Sequence, residues 1–112
     1  MLKNNDEKLL EFIRVNLESI KAENITILPV STLTTITNYM VIANGTSTIY
    51  VRSIADKLIE QAKKEGFHIL STEGQEHANW ILVDLGDVIV HIMQESAREY
   101  YHLEKLWSVI EE

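Results

Sequence analysis

The segment from Trp80 to Met93 constrains the fold more than any other part of the chain. Trp80-Ile81-Leu82-Val83-Asp84 and Val88-Ile89-Val90-His91-Ile92-Met93 are two apolar, largely β-branched runs separated only by Leu85-Gly86-Asp87. Three residues cannot carry a crossover, so the runs must pair as a tight antiparallel hairpin, with Gly86 in the left-handed conformation that such turns require. Alternation places Trp80, Leu82 and Asp84 on one face, and Ile81, Val83 and Leu85 on the other. A two-stranded hairpin is marginal in water by itself. The rest of the chain must therefore supply strands beside it and helices over it.

Those elements are legible. Asn4, Asn5 and Asp6 can cap a first helix, in which Leu9, Leu10, Ile13, Leu17 and Ile20 recur at helical spacing. Lys21 to Asn24 ends it. Ile25 to Val30 reads as a strand, and Pro29 places it at an edge or a strand end. Ser31 to Asn38 is a loop or an irregular edge strand. Tyr39 to Ala43 is nearly all apolar, as a central strand buried on both faces must be. Asn44-Gly45 breaks it, and Thr46 or Ser47 caps a second helix. Val51, Ile54, Ala55, Leu58, Ile59 and Ala62 form its buried stripe, and Gly66 terminates it. Phe67 to Thr72 is a short strand and Glu73 to Asn79 a polar loop around Gly74. A last helix runs from Glu95 to Val109 with Tyr100, Leu103, Leu106, Trp107 and Ile110 on one side. In that helix most of the stripe of Tyr100, Tyr101, Leu103 and Trp107 is expected to pack on the sheet, and Arg98, Glu99, Glu104 and Lys105 to form a solvated face.

The order α-β-β-α-β-β-β-α predicts one α/β (α+β) domain over residues 1–112, with a mixed sheet of about five strands flanked by helices. The Tyr39 to Leu70 unit is expected to be a right-handed parallel crossover. The chain's 112 residues suit one core.

Ten Lys and Arg against seventeen Asp and Glu give a formal charge of −7. Direct nucleic-acid binding relies on clustered basic side chains that displace counterions, and the densest basic spot here is Lys63-Lys64 at a helix end. A basic protein is the better electrostatic match. The chain has no cysteine, which excludes disulfides and thiolate chemistry. No apolar run approaches the ~18 residues of a membrane span, and the N-terminus has no signal-peptide core, so the cytoplasm is expected.

Three groups of residues bear on chemistry. Gly45-Thr46-Ser47 joins a strand to a helix, a place where backbone N–H groups can hold an anion. It lacks the glycines and lysine of a phosphate loop, and a strand exit followed by an ordinary N-cap accounts for it. The same arrangement occurs in nucleotidyltransferases, which also need paired carboxylates to hold metal ions. Asp84 and Asp87 are the only nearby pair, and they flank a turn. The four histidines, His68, His77, His91 and His102, show no ligand spacing. His91 lies on the face of Ile89 and Met93 and reads as a hydrogen-bonded, half-buried side chain. No cofactor is expected.

Trp80 is more informative. It opens a strand after a polar loop and has Glu73, Glu76, Asp84 and Asp87 for neighbours. The pattern fits a core tryptophan and fits equally an aromatic anchor ringed by charge, as interface hot spots are built. Leu85, at the turn, is expected to be hard to bury. Together they outline a protein-binding rim.

From Tyr39 to Trp107 the chain resembles the Iojap-related ribosomal silencing factors. The resemblance rests on Tyr39-Met40-Val41-Ile42-Ala43-Asn44-Gly45-Thr46-Ser47, on Ile54-Ala55-Asp56, on Glu73-Gly74, on the whole of Trp80 to Met93, and on Arg98-Glu99-Tyr100-Tyr101-His102-Leu103-Glu104-Lys105-Leu106-Trp107. It implies a protein that binds the large ribosomal subunit through ribosomal protein L-fourteen, blocks joining of the small subunit, and represses translation when nutrients are scarce. It implies a nucleotidyltransferase-like sheet without the enzyme's carboxylate set, hence no catalytic residues. The partner surface it implies is Trp80, Asp84, Leu85 and Gly86, with acidic neighbours such as Glu73 and Asp87 facing a basic patch. The alternatives are a large-subunit assembly factor or, more remotely, an enzyme using Gly45, Ser47 and Asp84 or Asp87. A sheet edge at Ile25–Val30 leaves room for a homodimer off the ribosome. Two positions depart from the family's usual pattern: Asn38 stands where many members have Asp, and Thr48-Ile49-Tyr50 where many have Ser-Arg-His.

Overall fold

The computed structural model describes residues 5–101, with side chains over 7–98. The elements are α1 (Asn5–Ser19), β1 (Glu23–Pro29), β2 (Tyr39–Gly45), α2 (Thr48–Lys64), β3 (Ser71–Glu73), β4 (Trp80–Asp84), β5 (Val88–Gln94) and α3 (Glu95–Tyr101). This is the expected order. The capping role of Asn4, Asn5 and Asp6, the aromatic stripe and the last helix beyond Tyr101 lie outside the described residues or side chains.

The strands form one sheet in the order β1-β2-β5-β4-β3. β2 and β5 pair in parallel, and the other three pairings are antiparallel. The hairpin sets Trp80 opposite Met93 and Asp84 opposite Ile89, and Gly86 has φ 88° in its turn. Pro29 ends edge strand β1, where its missing N–H costs no ladder bond.

The two strands joined by α2, β2 and β3, run in the same direction, as a parallel crossover requires, but β5 and β4 stand between them. β3 lies at the far edge, antiparallel to β4, and begins at Ser71 and not at the expected Phe67. The apolar β5 is buried along nearly its whole length and so takes the central place beside the equally buried β2. Polar Ser71-Thr72-Glu73 suits a short, wet edge.

One face of the sheet carries Val41, Ala43, Ile81, Val83, Val88, Val90 and Ile92. It packs on Leu9, Ile13 and Leu17 of α1 and on Val51, Ile54, Ala55, Leu58 and Ala62 of α2. Each of these side chains contributes roughly 1–3 kcal/mol by leaving water. α2 begins where Ser47 accepts the Tyr50 N–H at 3.1 Å. A Cβ on Gly45 would come within 2.9 Å of Val51 Cγ2, so the strand-to-helix junction needs a residue without a side chain. Tyr50 Oη donates to the Ile20 carbonyl and ties the end of α1 to α2.

The opposite face carries Met40, Ile42, Asn44, Ile89, His91 and Met93, all buried. α3 reaches this face through Arg98, which corrects the expectation of a solvated side chain: it is 8% exposed. Its guanidinium donates to Asn44 Oδ1 at 2.7 Å, to Thr26 Oγ1 at 2.6 Å and to the Asn24 carbonyl. A guanidinium has five donors, and β1 and β2 supply the acceptors that helical periodicity could not reveal.

Candidate functional site: a tryptophan and carboxylate edge

On the second face the sheet reaches solvent along the β4–β3 side, as it also does at Thr26 and Leu28 of the β1 edge. Trp80, Leu82 and Asp84 are half-buried, while their β5 partners Met93, His91 and Ile89 are buried. Trp80 resolves the two readings of its pattern as neither a core residue nor a free surface side chain. Its indole Nε1 donates to His91 Nδ1 at 3.0 Å, with ring centroids 5.8 Å apart. The bond makes Nδ1 the acceptor and places the neutral imidazole's proton on Nε2, an atom that is buried with no hydrogen-bond partner among the described residues. Burial lowers the His91 pKa from 6.5 to about 4, so the ring is neutral near pH 7. His91 thus fixes the indole on the β4 edge and is more deeply buried than expected, at 6% exposure.

The loop before Trp80 is held from two sides. Arg52 on α2 donates to the Gln75 carbonyl from Nε at 3.1 Å and Nη2 at 2.9 Å, and to the Glu76 carbonyl at 2.9 Å. Gly74 folds back on β4 so closely that a Cβ would lie 2.1 Å from the Trp80 carbonyl oxygen, and its φ is +91°. Glu73, Gly74, Trp80 and Leu82 line a shallow groove of about 270 Å³.

At the other end of β4 the hairpin turn is stiffened by Asp84, whose Oδ1 accepts the Gly86 N–H at 2.9 Å, an Asx-turn. Asp87 is exposed. Its carbonyl accepts the Asn38 and Tyr39 N–H groups, each at 3.0 Å, so the turn is anchored to the 31–38 loop. Leu85 is corrected: it is 6% exposed and belongs to the core over α1 and α2. Alternation puts it on the face of Ile81 and Val83, and that face is covered. The exposed apolar side chain at the turn is instead Leu70, at 58%. Its N–H donates to the Asp84 carbonyl at 2.8 Å, and its Cδ1 lies 3.7 Å from where a Gly86 Cβ would stand. Neither Leu70 nor Arg52 was signalled by any motif; the one sign of Leu70 was that it ends an apolar pair just before a polar edge.

The nucleotidyltransferase-like set of Gly45, Ser47 and Asp84 or Asp87 is not brought together. Gly45 and Ser47 lie at the carboxyl end of β2, whereas Asp87 meets the chain at Tyr39, the other end. A seven-residue strand separates them by roughly 20 Å. Among the described residues no group of three or more His, Cys, Asp or Glu is placed to hold a metal ion. His68 and His77 are exposed and apart from His91, and His102 lies outside the described residues. No helix among the described residues is long and apolar enough to cross a membrane.

Fold and site define a small acidic α/β protein whose mixed sheet presents a braced tryptophan and carboxylates along one edge. A family described as "Ribosomal silencing factor during starvation" matches residues 3–112. The chain belongs to that family. It is 47% identical over 100 residues to ribosomal silencing factor RsfS of Haemophilus influenzae, covering 89% of this chain and 98% of that one. The crystal structure of a Chromobacterium violaceum protein superposes with a TM-score of 0.89 at 36% identity, covering 91% of this chain and 85% of that one. A more distant relative is the mouse protein named "Mitochondrial assembly of ribosomal large subunit protein 1", 34% identical over 76 residues, 65% of this chain and 33% of that one.

Proposed function

We propose that this protein is a non-catalytic repressor of translation. It binds the large ribosomal subunit through ribosomal protein L-fourteen and sterically blocks joining of the small subunit. The contact surface is the β4 edge: Trp80 and Glu73 at one end, Asp84, Gly86 and Asp87 at the other, with Leu85 supporting the turn from below. The observation that carries the reading is the half-buried Trp80, held by His91 and the Gly74 loop beside exposed Glu73. A rigid aromatic with carboxylates near it loses little entropy on docking and favours a basic partner. Family membership supports the ribosome as the target.

Sedimentation with separated ribosomal subunits tests it. The chain should migrate with the large subunit and stop added small subunits from forming the full particle. Trp80→Ala should weaken large-subunit binding by about 1–2 kcal/mol, as hot-spot truncations do. Asp87→Asn should slow association and reduce its salt dependence. Free subunit joining in the presence of saturating chain would refute the block. The name of the mouse relative favours a second reading, a large-subunit assembly factor using the same contact. Accumulation of incomplete large subunits in cells lacking this protein, with normal subunit joining in vitro, would select that reading.

A further inference from the structure

The hairpin turn is bracketed by two exposed apolar side chains, Leu70 on one side and Ile36 on the other. Ile36 is 76% exposed and Leu70 58%. The loop carrying Ile36 is tied to the turn by Asn38 and Tyr39 N–H bonds to the Asp87 carbonyl. The segment carrying Leu70 is tied to it by the bond to the Asp84 carbonyl. At Ile36-Thr37 the usual preference is inverted: Thr37 is 4% exposed and its Oγ1 donates to the Tyr39 carbonyl at 3.3 Å, while the larger apolar neighbour faces water. The Ile36 N–H donates to Thr34 Oγ1 at 3.1 Å, which holds that arrangement. Each exposed apolar residue alone would be unremarked. Two beside one acidic, hydrogen-bonded turn form a surface with apolar anchors at its sides and Asp84 and Asp87 between them.

We infer that Ile36 and Leu70 are additional anchors for the same basic protein partner, which covers both apolar side chains while its cationic groups meet Asp84 and Asp87. The inference rests on the reading proposed above. Charge decides the occupant. A chain of formal charge −7 with carboxylates at this turn repels a second copy of itself and nucleic acid, and attracts a surface of opposite sign.

The test is equilibrium binding of fluorescently labelled chain to purified large ribosomal subunits, using Ile36→Ser, Leu70→Ser, the double variant and Ile49→Ser. Ile49 is 75% exposed in the first turn of α2, at the opposite end of the sheet from the turn. All three side chains are exposed in the wild type, so melting temperatures of the four variants should stay at the wild-type value and report intact folds. Each of the two anchor variants should bind at least about fivefold more weakly and the double variant more than about tenfold, with Ile49→Ser unchanged. Wild-type affinity in both anchor variants, alongside weakened Trp80→Ala, would overturn the inference and leave the proposed function standing. Equal weakening by Ile49→Ser would also overturn it, because the effect would then be general apolar adhesion. No binding by the wild type would overturn both.

Discussion

Acid should destabilise this fold through His91 in a way that a single substitution isolates. Burial holds the imidazole pKa at about 4 in the folded chain against an ordinary 6.5. Between those values the unfolded chain carries a proton on this ring and the folded chain does not. Stability from this residue is therefore complete above pH 6.5, falls as the pH drops, and levels off below about pH 4. Each pH unit inside the window costs about 1.4 kcal/mol, so pH 5 costs about 2 kcal/mol relative to neutrality. Protonation would also remove the acceptor for the Trp80 indole N–H. The seventeen Asp and Glu titrate as well, so the wild type is compared with His91→Gln, which offers an amide oxygen to the indole and does not titrate. Urea unfolding at pH 7 and pH 5 should show the wild type losing about 2 kcal/mol more than the variant. The His91 Cε1–H resonance should titrate well below 6.5. Parallel losses in the two proteins, or a midpoint near 6.5, would refute the burial argument.

Gly74→Ala combines a φ of +91° with a 2.1 Å approach to the Trp80 carbonyl; it should cost more than about 2 kcal/mol in urea unfolding, and lost large-subunit binding should accompany it. Arg52→Ala releases the Gln75 and Glu76 carbonyls, and hydrogen exchange should rise across residues 74–79 while the core amides stay protected. Arg98→Ala leaves buried Asn44 Oδ1 without its 2.7 Å donor, and a loss of about 2–4 kcal/mol is expected by calorimetry.

The hairpin, the capped and terminated α2, and the buried central strand were legible because each depends on local rules. Period-two alternation, a serine N-cap and a glycine past the helix end all operate within a few residues. The Trp80 edge was legible as a place but not as a geometry. Its polar neighbours announced a boundary, yet only pairing with β5 brought His91 across to hold the indole, at a sequence distance of eleven residues. Leu85 shows the limit most clearly. Its position in a turn suggested exposure, but its parity with Ile81 and Val83 sent it under the helices, and Leu70, which stands just before a strand that the pairing placed at the far edge, became the exposed apolar residue at the tip.

By itself, the sequence determined the element order, the net charge that favours a basic partner, and the family, because these are properties of the chain read in line. Tertiary structure decided the strand order β1-β2-β5-β4-β3, the burial of Arg98, the bracing of Trp80, and the separation of Gly45 from Asp84 and Asp87. Those depend on which strands pair and which face is covered, and pairing is settled by burying the most apolar strands at the centre. The chain carries that preference as a whole; no local motif records it.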